Sequence, residues 1–226
     1  MSKQKIQNEY IALLLHDKVE IKHPITKNTV ILYRIISLQP IRSNFTDRWI
    51  AKHSIGGFVQ SVDNINENSP GWIENSGRVF DNAVISGGTI VSESALVFEN
   101  AKVDSSIVQN HARVSGNSNV IDSVIADTSE IKGNANVVSC KTFNASMIFE
   151  DANVVNTELN TGSIIRGKAK VTDSTLLDIS QIQGDSNVNN CKLEGRTVIM
   201  DGKHEGLVLD TDLELSLDAT NTIGDL

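Results

Sequence analysis

Five histidines and two cysteines are the side chains of this sequence best suited to chemistry. A histidine could act as a general base, taking a proton from a hydroxyl or amine within hydrogen-bond reach near working pH. His16, His23 and His53 are scattered through the first part of the chain, His111 stands mid-chain and His204 near the end. No spacing of Cys and His matches a zinc site. No phosphate-cradling glycine loop or nucleophile elbow occurs; the paired Gly87-Gly88 reads as a turn. The expected metal set is therefore empty. The expected catalytic set is empty too, with His111 as the single candidate base.

What must position these groups is a repeat. From Ser94 to Asp201 the chain repeats every 17 residues, in six full copies without insertion. One column reads Val97, Val114, Ile131, Ile148, Ile165, Ile182, Ile199; a second Val103, Val120, Val137, Val154, Val171, Val188; a third Val108, Ile125, Thr142, Leu159, Leu176, Leu193. Two residues before each stands a small side chain, such as Ala95, Ala101 or Ser106. Small-x-aliphatic is a period-2 pattern, so both residues point to one face of a short strand. Two residues after each aliphatic, Gly, Asn or Asp recurs (Gly116, Asp122, Asn110 and their repeats), types that tolerate a left-handed backbone and make corners. Three strands and three corners per copy predict a triangular coil, stacked in parallel at roughly 4.8 Å per coil. About eight coils give a rod on the order of 40 Å long. Cys140 and Cys191 share the small column three copies apart, roughly 14 Å, beyond disulfide reach, and read as buried core residues.

The rest divides around the rod: residues 1–69 as a small α+β N-terminal cap domain, 70–203 as the β-helix, and 204–226 as a capping strand with an acidic tail. Ile6 to Leu15 looks helical, Val19–Ile21 and Thr29–Ile36 look like strands, and Gly56-Gly57 a hinge or tight turn. Leu207 to Leu217 alternates apolar with polar, as an edge strand folding over the last coil would. The net charge of −8 argues against a phosphate-binding groove. No apolar run approaches the roughly 20 residues that span a bilayer, and the first residues lack the apolar stretch of a signal peptide. A cytoplasmic protein without a membrane partner is expected.

Leu32-Tyr33-Arg34-Ile35, then Gly56-Gly57-Phe58-Val59 with Ser61, Trp72-Ile73, and Asp81-Asn82-Ala83 opening the repeats, resemble the YdcK-like hexapeptide-repeat proteins of bacteria and phages. The resemblance covers most of residues 29 to 190; Gln60 stands where that family usually has Glu, and Ile41 to Ser54 matches poorly. It implies a left-handed triangular parallel β-helix, all-β in class. It also raises the acyltransferases that share this fold. Those enzymes form trimers, bind an acyl donor such as acetyl-CoA between coils, and use a histidine as base, often beside a loop that breaks a coil. His111 sits at a corner held elsewhere by Ser94, Thr128, Ala145, Gly162 and Ile179, with no such loop near it.

Outward positions say more. Phe80, Leu96, Phe98, Met147, Phe149, Ile164, Val198 and Met200 line one outer side, and an exposed apolar stripe marks an interface or a surface its own chain covers. A second side carries Asn119, Asn136, Asn153 and Asn187 in one column, read as an amide ladder. Three functions compete. The first is a non-enzymatic scaffold, without cofactor, presenting a side face to a protein partner or to itself as a homo-oligomer, a trimer by analogy. The second is an acetyltransferase using acetyl-CoA. The third is an acidic phage-type inhibitor that mimics nucleic acid, weakened because Ser76 to Lys203 holds 15 acids against 11 bases.

Overall fold

The computed structural model of the chain describes residues 5–43, 45–210 and 214–215, the last pair by backbone alone. Its central part is a three-sided prism of parallel sheets. Strands of successive coils pair in register 17 residues apart, as in Val97 with Val114, Val108 with Ile125 and Val120 with Val137. All residues of the three inward columns are fully buried, Thr142 included. The small columns are buried as well. In the third column the hydroxyls bond the corner: Ser106 Oγ donates to the Asp104 carbonyl and accepts from the Ser123 amide, and Ser123 Oγ donates to the Ile121 carbonyl and accepts from the Cys140 amide. In the first column the Ser129 and Ser146 hydroxyls have no partner. Serine in the third column thus satisfies buried corner amides that an alanine would leave without that acceptor.

Corner chemistry also follows the sequence. Every Gly, Asn and Asp of the three corner columns, from Asn110 to Gly195, has positive φ. Gly133 shows a second reason for glycine, since a Cβ there would lie 2.8 Å from the backbone N and O of Glu150 in the next coil.

Side one is a sheet of twelve strands, side two of eight, and side three of nine, from Trp72–Ile73 to Val208–Leu209. The stack is longer than the repeat implied at both ends. At the start, Ile55–Val59 (after β1, Ile11–Lys22; β2, Thr29–Ser37; β3, Ile41–Ser43; and β4, Arg48–Ile50, this is β5) pairs in parallel with Arg78–Val79. The first coil therefore draws on residues upstream of Pro70. At the finish, Lys203–Glu205, Val208–Leu209 and Glu214–Leu215 continue all three sheets in parallel. The expected strand folded over the last coil is thus, over its described residues, a further coil. Its pairing offset is 16, as in Leu193 with Leu209, which hides it from a 17-residue frame. The tail beyond Leu215 lies outside the described residues.

The α+β character expected of the N-terminal region is corrected. Among the described residues there is no α-helix, only a 3₁₀ turn at Val62–Asn64. Of the residues read as helical, Ile11 to Leu15 lie in β1, which pairs antiparallel with β2; β2 in turn pairs with β5. A short continuous apolar run such as IALLL suits a buried strand as well as a helix, and a complementary strand close by decides it. Gly56-Gly57 is no hinge either. Both lie within β5, where a Cβ on Gly57 would meet Ile73 at 2.4 Å and one on Gly56 would meet Ile35 at 2.6 Å.

The β1–β2 register slips between Leu14 and Lys18. The extra residues on β1 bend the hairpin. Its near half packs Ile11, Leu13 and Ile35 on the top of the prism core, while its far half carries Val19, Ile21, Val30 and Leu32 onto Phe58, Phe80 and Phe98. Lys18 to Tyr33 is therefore a flap folded over the outer face of side one.

Candidate functional site

Outer residues of side one fall in two columns, one on each side of the inward aliphatic. Register places Leu96, Arg113, Glu130, Met147, Ile164, Gln181 and Val198 in one. Phe80, Phe98, Ser115, Lys132, Phe149, Arg166, Gln183 and Met200 stand two residues on and form the other. Polar residues at Arg113 to Lys132 split the apolar stripe in two.

The flap covers the upper half. Phe80 and Phe98 are buried, stacked 5.2 Å apart with planes 8° from parallel. His23 from the flap meets both ring edges, at 5.7 and 5.6 Å. Its Nδ1 accepts from the Ile25 and Thr26 amides at 3.1 Å, which leaves the proton on Nε2; Nε2–H donates to Asp81 Oδ2 at 2.9 Å. Asp81 also accepts from the Glu99 amide. Of the two readings of the stripe, an interface or a surface its own chain covers, Phe80 and Phe98 follow the second: both phenyl rings are buried by an apolar hairpin of the same chain and are not free as interface residues. Leu96 is half-buried against the same cluster.

The lower half has no such cover among the described residues. Met147, Phe149, Ile164, Val198 and Met200 are half-buried, standing on the strands yet open to one side. Lys132 Nζ lies 5.3 Å from the Phe149 ring centroid and 3.3 Å from Glu130. The Arg166 guanidinium donates to Gln183 Oε1. An open cleft of about 340 Å³ runs along the adjoining corner, lined by Glu150, Arg166, Gly167, Gln183, Gly184, Met200 and Asp201.

At the corner, acids brace glycines. Glu99 Oε2 accepts from the Gly116 amide and Glu150 Oε2 from the Gly167 amide, both at 2.7 Å, and both glutamates have positive φ. A tetrapeptide marks these places: Phe80-Asp81-Asn82-Ala83, Phe98-Glu99-Asn100-Ala101 and Phe149-Glu150-Asp151-Ala152. That recurrence is the signal by which sequence could have linked the covered and open halves. Nothing local signalled His23 as the group that closes the flap.

The histidines are not brought together. His111 is an exposed corner residue whose backbone amide bonds Asp127. His204 takes the inward place below Val188 and bonds the Asp201 carbonyl, and His16 and His53 are exposed. Neither the cleft at Glu150 nor a second one of about 260 Å³ at Ser139 to Thr175 is lined by histidine. Among the described residues no cluster of His, Cys, Asp or Glu could hold a metal. Burial pushes the Cys140 thiol up to about 11 and raises that of Cys191. Such thiols are poor nucleophiles. No helix of the described residues is long and apolar enough to cross a membrane.

The side-two amides form the expected ladder in part: Asn119 donates to Asn136, and Asn136 to Asn153. A longer chain runs along the corner, from Asn82 through Asn100, Asn117 and Asn134 to Asp151.

Compared with known protein families and with curated proteins, the chain matches none.

Proposed function

We propose that the protein is a YdcK-like, non-catalytic β-helical scaffold acting in the cytoplasm, which binds a protein partner, or further copies of itself, through the open half of side one. The observation that carries this reading is the apolar group Met147, Phe149, Ile164, Val198 and Met200, left open on a face whose other half is buried. A rigid stack holds those side chains at fixed spacing, so little conformational entropy is lost when a partner docks. The isolated, exposed His111 supports the non-catalytic part, because a general base needs a substrate site within reach.

A photo-crosslinking residue placed at Phe149, with a control at Asn119 on side two, tests the reading in cells. A protein adduct at Phe149 and none at Asn119 is expected; equal adducts or none overturn it. Calorimetry with acetyl-CoA should give no heat. Donor binding lost in His111→Ala would establish the transferase instead.

A further inference from the structure

The covered half of side one shows what this surface chemistry accepts, and the open half repeats its central rung. Phe98 and Phe149 stand in the same column, three coils apart, each followed by a glutamate with positive φ that bonds a corner glycine of the next coil at 2.7 Å. Leu96 beside Phe98 corresponds to Met147 beside Phe149. The flap lays aliphatic side chains of an extended hairpin on the first rung. A second rung of equal shape fits the same kind of layer.

Size narrows the occupant. Met147 to Met200 spans four coils, about 14 Å of stack, under strands about 10 Å long. A patch on the order of 200 Å² is far below the roughly 800 Å² per partner that two folded surfaces bury in a stable complex. It matches a short strand or hairpin, not the flat face of a second copy.

Charge narrows it further. Shifting the flap's contacts down three coils turns Phe80 into Lys132, Asp81 into Gly133, and Phe98 into Phe149. The imidazole of His23 would lose its carboxylate partner and meet an ammonium. A carboxylate in that place would meet Lys132, in competition with Glu130 at 3.3 Å, with Arg166 two coils further on.

We propose that the Met147–Glu150 rung, with Ile164 beside it, is a second docking site that takes an extended aliphatic segment of a partner protein carrying a carboxylate where the flap has His23. This rests on the scaffold reading above and specifies its ligand.

The chain supplies its own probe. Two backbone-cyclised peptides of residues 18–33, one of native sequence and one with His23→Glu, are titrated against the full-length protein by fluorescence anisotropy. The native peptide is disfavoured at the open rung by Lys132, and the His23→Glu peptide should bind at least about tenfold tighter. Lys132→Glu should reverse the order, and Phe149→Ser should remove binding of both. Equal binding of the two peptides, binding indifferent to Phe149→Ser, or no binding of either at millimolar concentration overturns the proposal. If the adduct at Phe149 forms in cells while the peptides fail, the scaffold reading stands and this inference alone falls.

Discussion

Phe98 and Phe149 occupy the same place in their coils, with the same backbone and the same braced glutamate beside them, yet one is buried and the other open. The difference lies outside the repeat. A hairpin from the start of the chain reaches Phe98 and stops there, because its bend lies near Leu14 and its tip at Pro24 to Asn28. In a stacked-coil protein the inward positions set the architecture, coil by coil. The outward positions are free to vary, and they decide what covers each stretch of face. Between Phe98 and Phe149 that freedom shows as Ser115 and Lys132, which end one patch and begin the next.

Matched substitutions give the largest test. Phe98→Ala removes a buried ring and should destabilise the fold by about 3–5 kcal/mol. Phe149→Ala removes a ring open on one side and should cost less than about 1 kcal/mol. Urea unfolding of both variants measures the gap, with the midpoint as readout because stacked coils can unfold in more than one step. Equal losses would mean that Phe149 is covered in the free protein.

The interiors of the two halves should not differ, and Cys140, inside a coil of the open half, reports on this. Burial pushes the pKa of its thiol up to about 11, from an ordinary value of 9.0. Between those values the unfolded chain releases the proton and the folded chain keeps it, so stability falls as pH rises, by at most about 2–3 kcal/mol. Cys140→Ala should lose less stability than the natural chain from pH 9 to 11, as read from urea midpoints. Identical losses would indicate that water reaches the prism interior beneath the open face.

Most of the fold was legible because it is local and periodic. Val97 to Ile199, the small columns and the positive-φ corners each recur at one spacing, and each residue does the same work in every coil. What was not legible depends on contacts that no spacing encodes. IALLL suits helix or strand until TVILYRII pairs with it. The stripe at Phe80 and Phe98 could be read as an interface or as a surface covered by its own chain, and no spacing decided between them, because the hairpin that buries the two rings lies about 50 residues earlier. The last coil was missed because its offset shortens to 16 and His204 takes the place of an aliphatic. Met147, Phe149, Ile164, Val198 and Met200 were read correctly as outward, since the columns alone decide that.

The latch that closes the covered half comes next in size. His23→Ala removes the bond to Asp81 and the acceptor for the Ile25 and Thr26 amides. A loss of about 1–3 kcal/mol is expected, because the buried imidazole takes three hydrogen bonds with it. Hydrogen exchange should locate the effect, with amides of residues 18–33 exchanging faster and those of Val120 to Val188 unchanged. Faster exchange through the prism as well would mean that the flap supports the coils, rather than only covering one face.

The smallest effect concerns the corner ladder that runs past both halves. Each amide from Asn82 to Asn134 donates to the next oxygen, and Asp151 ends the chain as an acceptor beside the open rung. A carboxylate suits that end, because the following residue in the column is Lys168, which has no acceptor to offer. Asp151→Leu leaves the Asn134 amide to water. Its cost should be about 0.5–1.5 kcal/mol, the net worth of an ordinary hydrogen bond, because solvent at this exposed pair screens the charge of Asp151. The same change leaves Phe149 and Glu150 in place, so a tight occupant of the open rung should bind Asp151→Leu and the natural chain alike. A weakened occupant would mean that the ladder end is part of the docking site, extending it from side one around the corner.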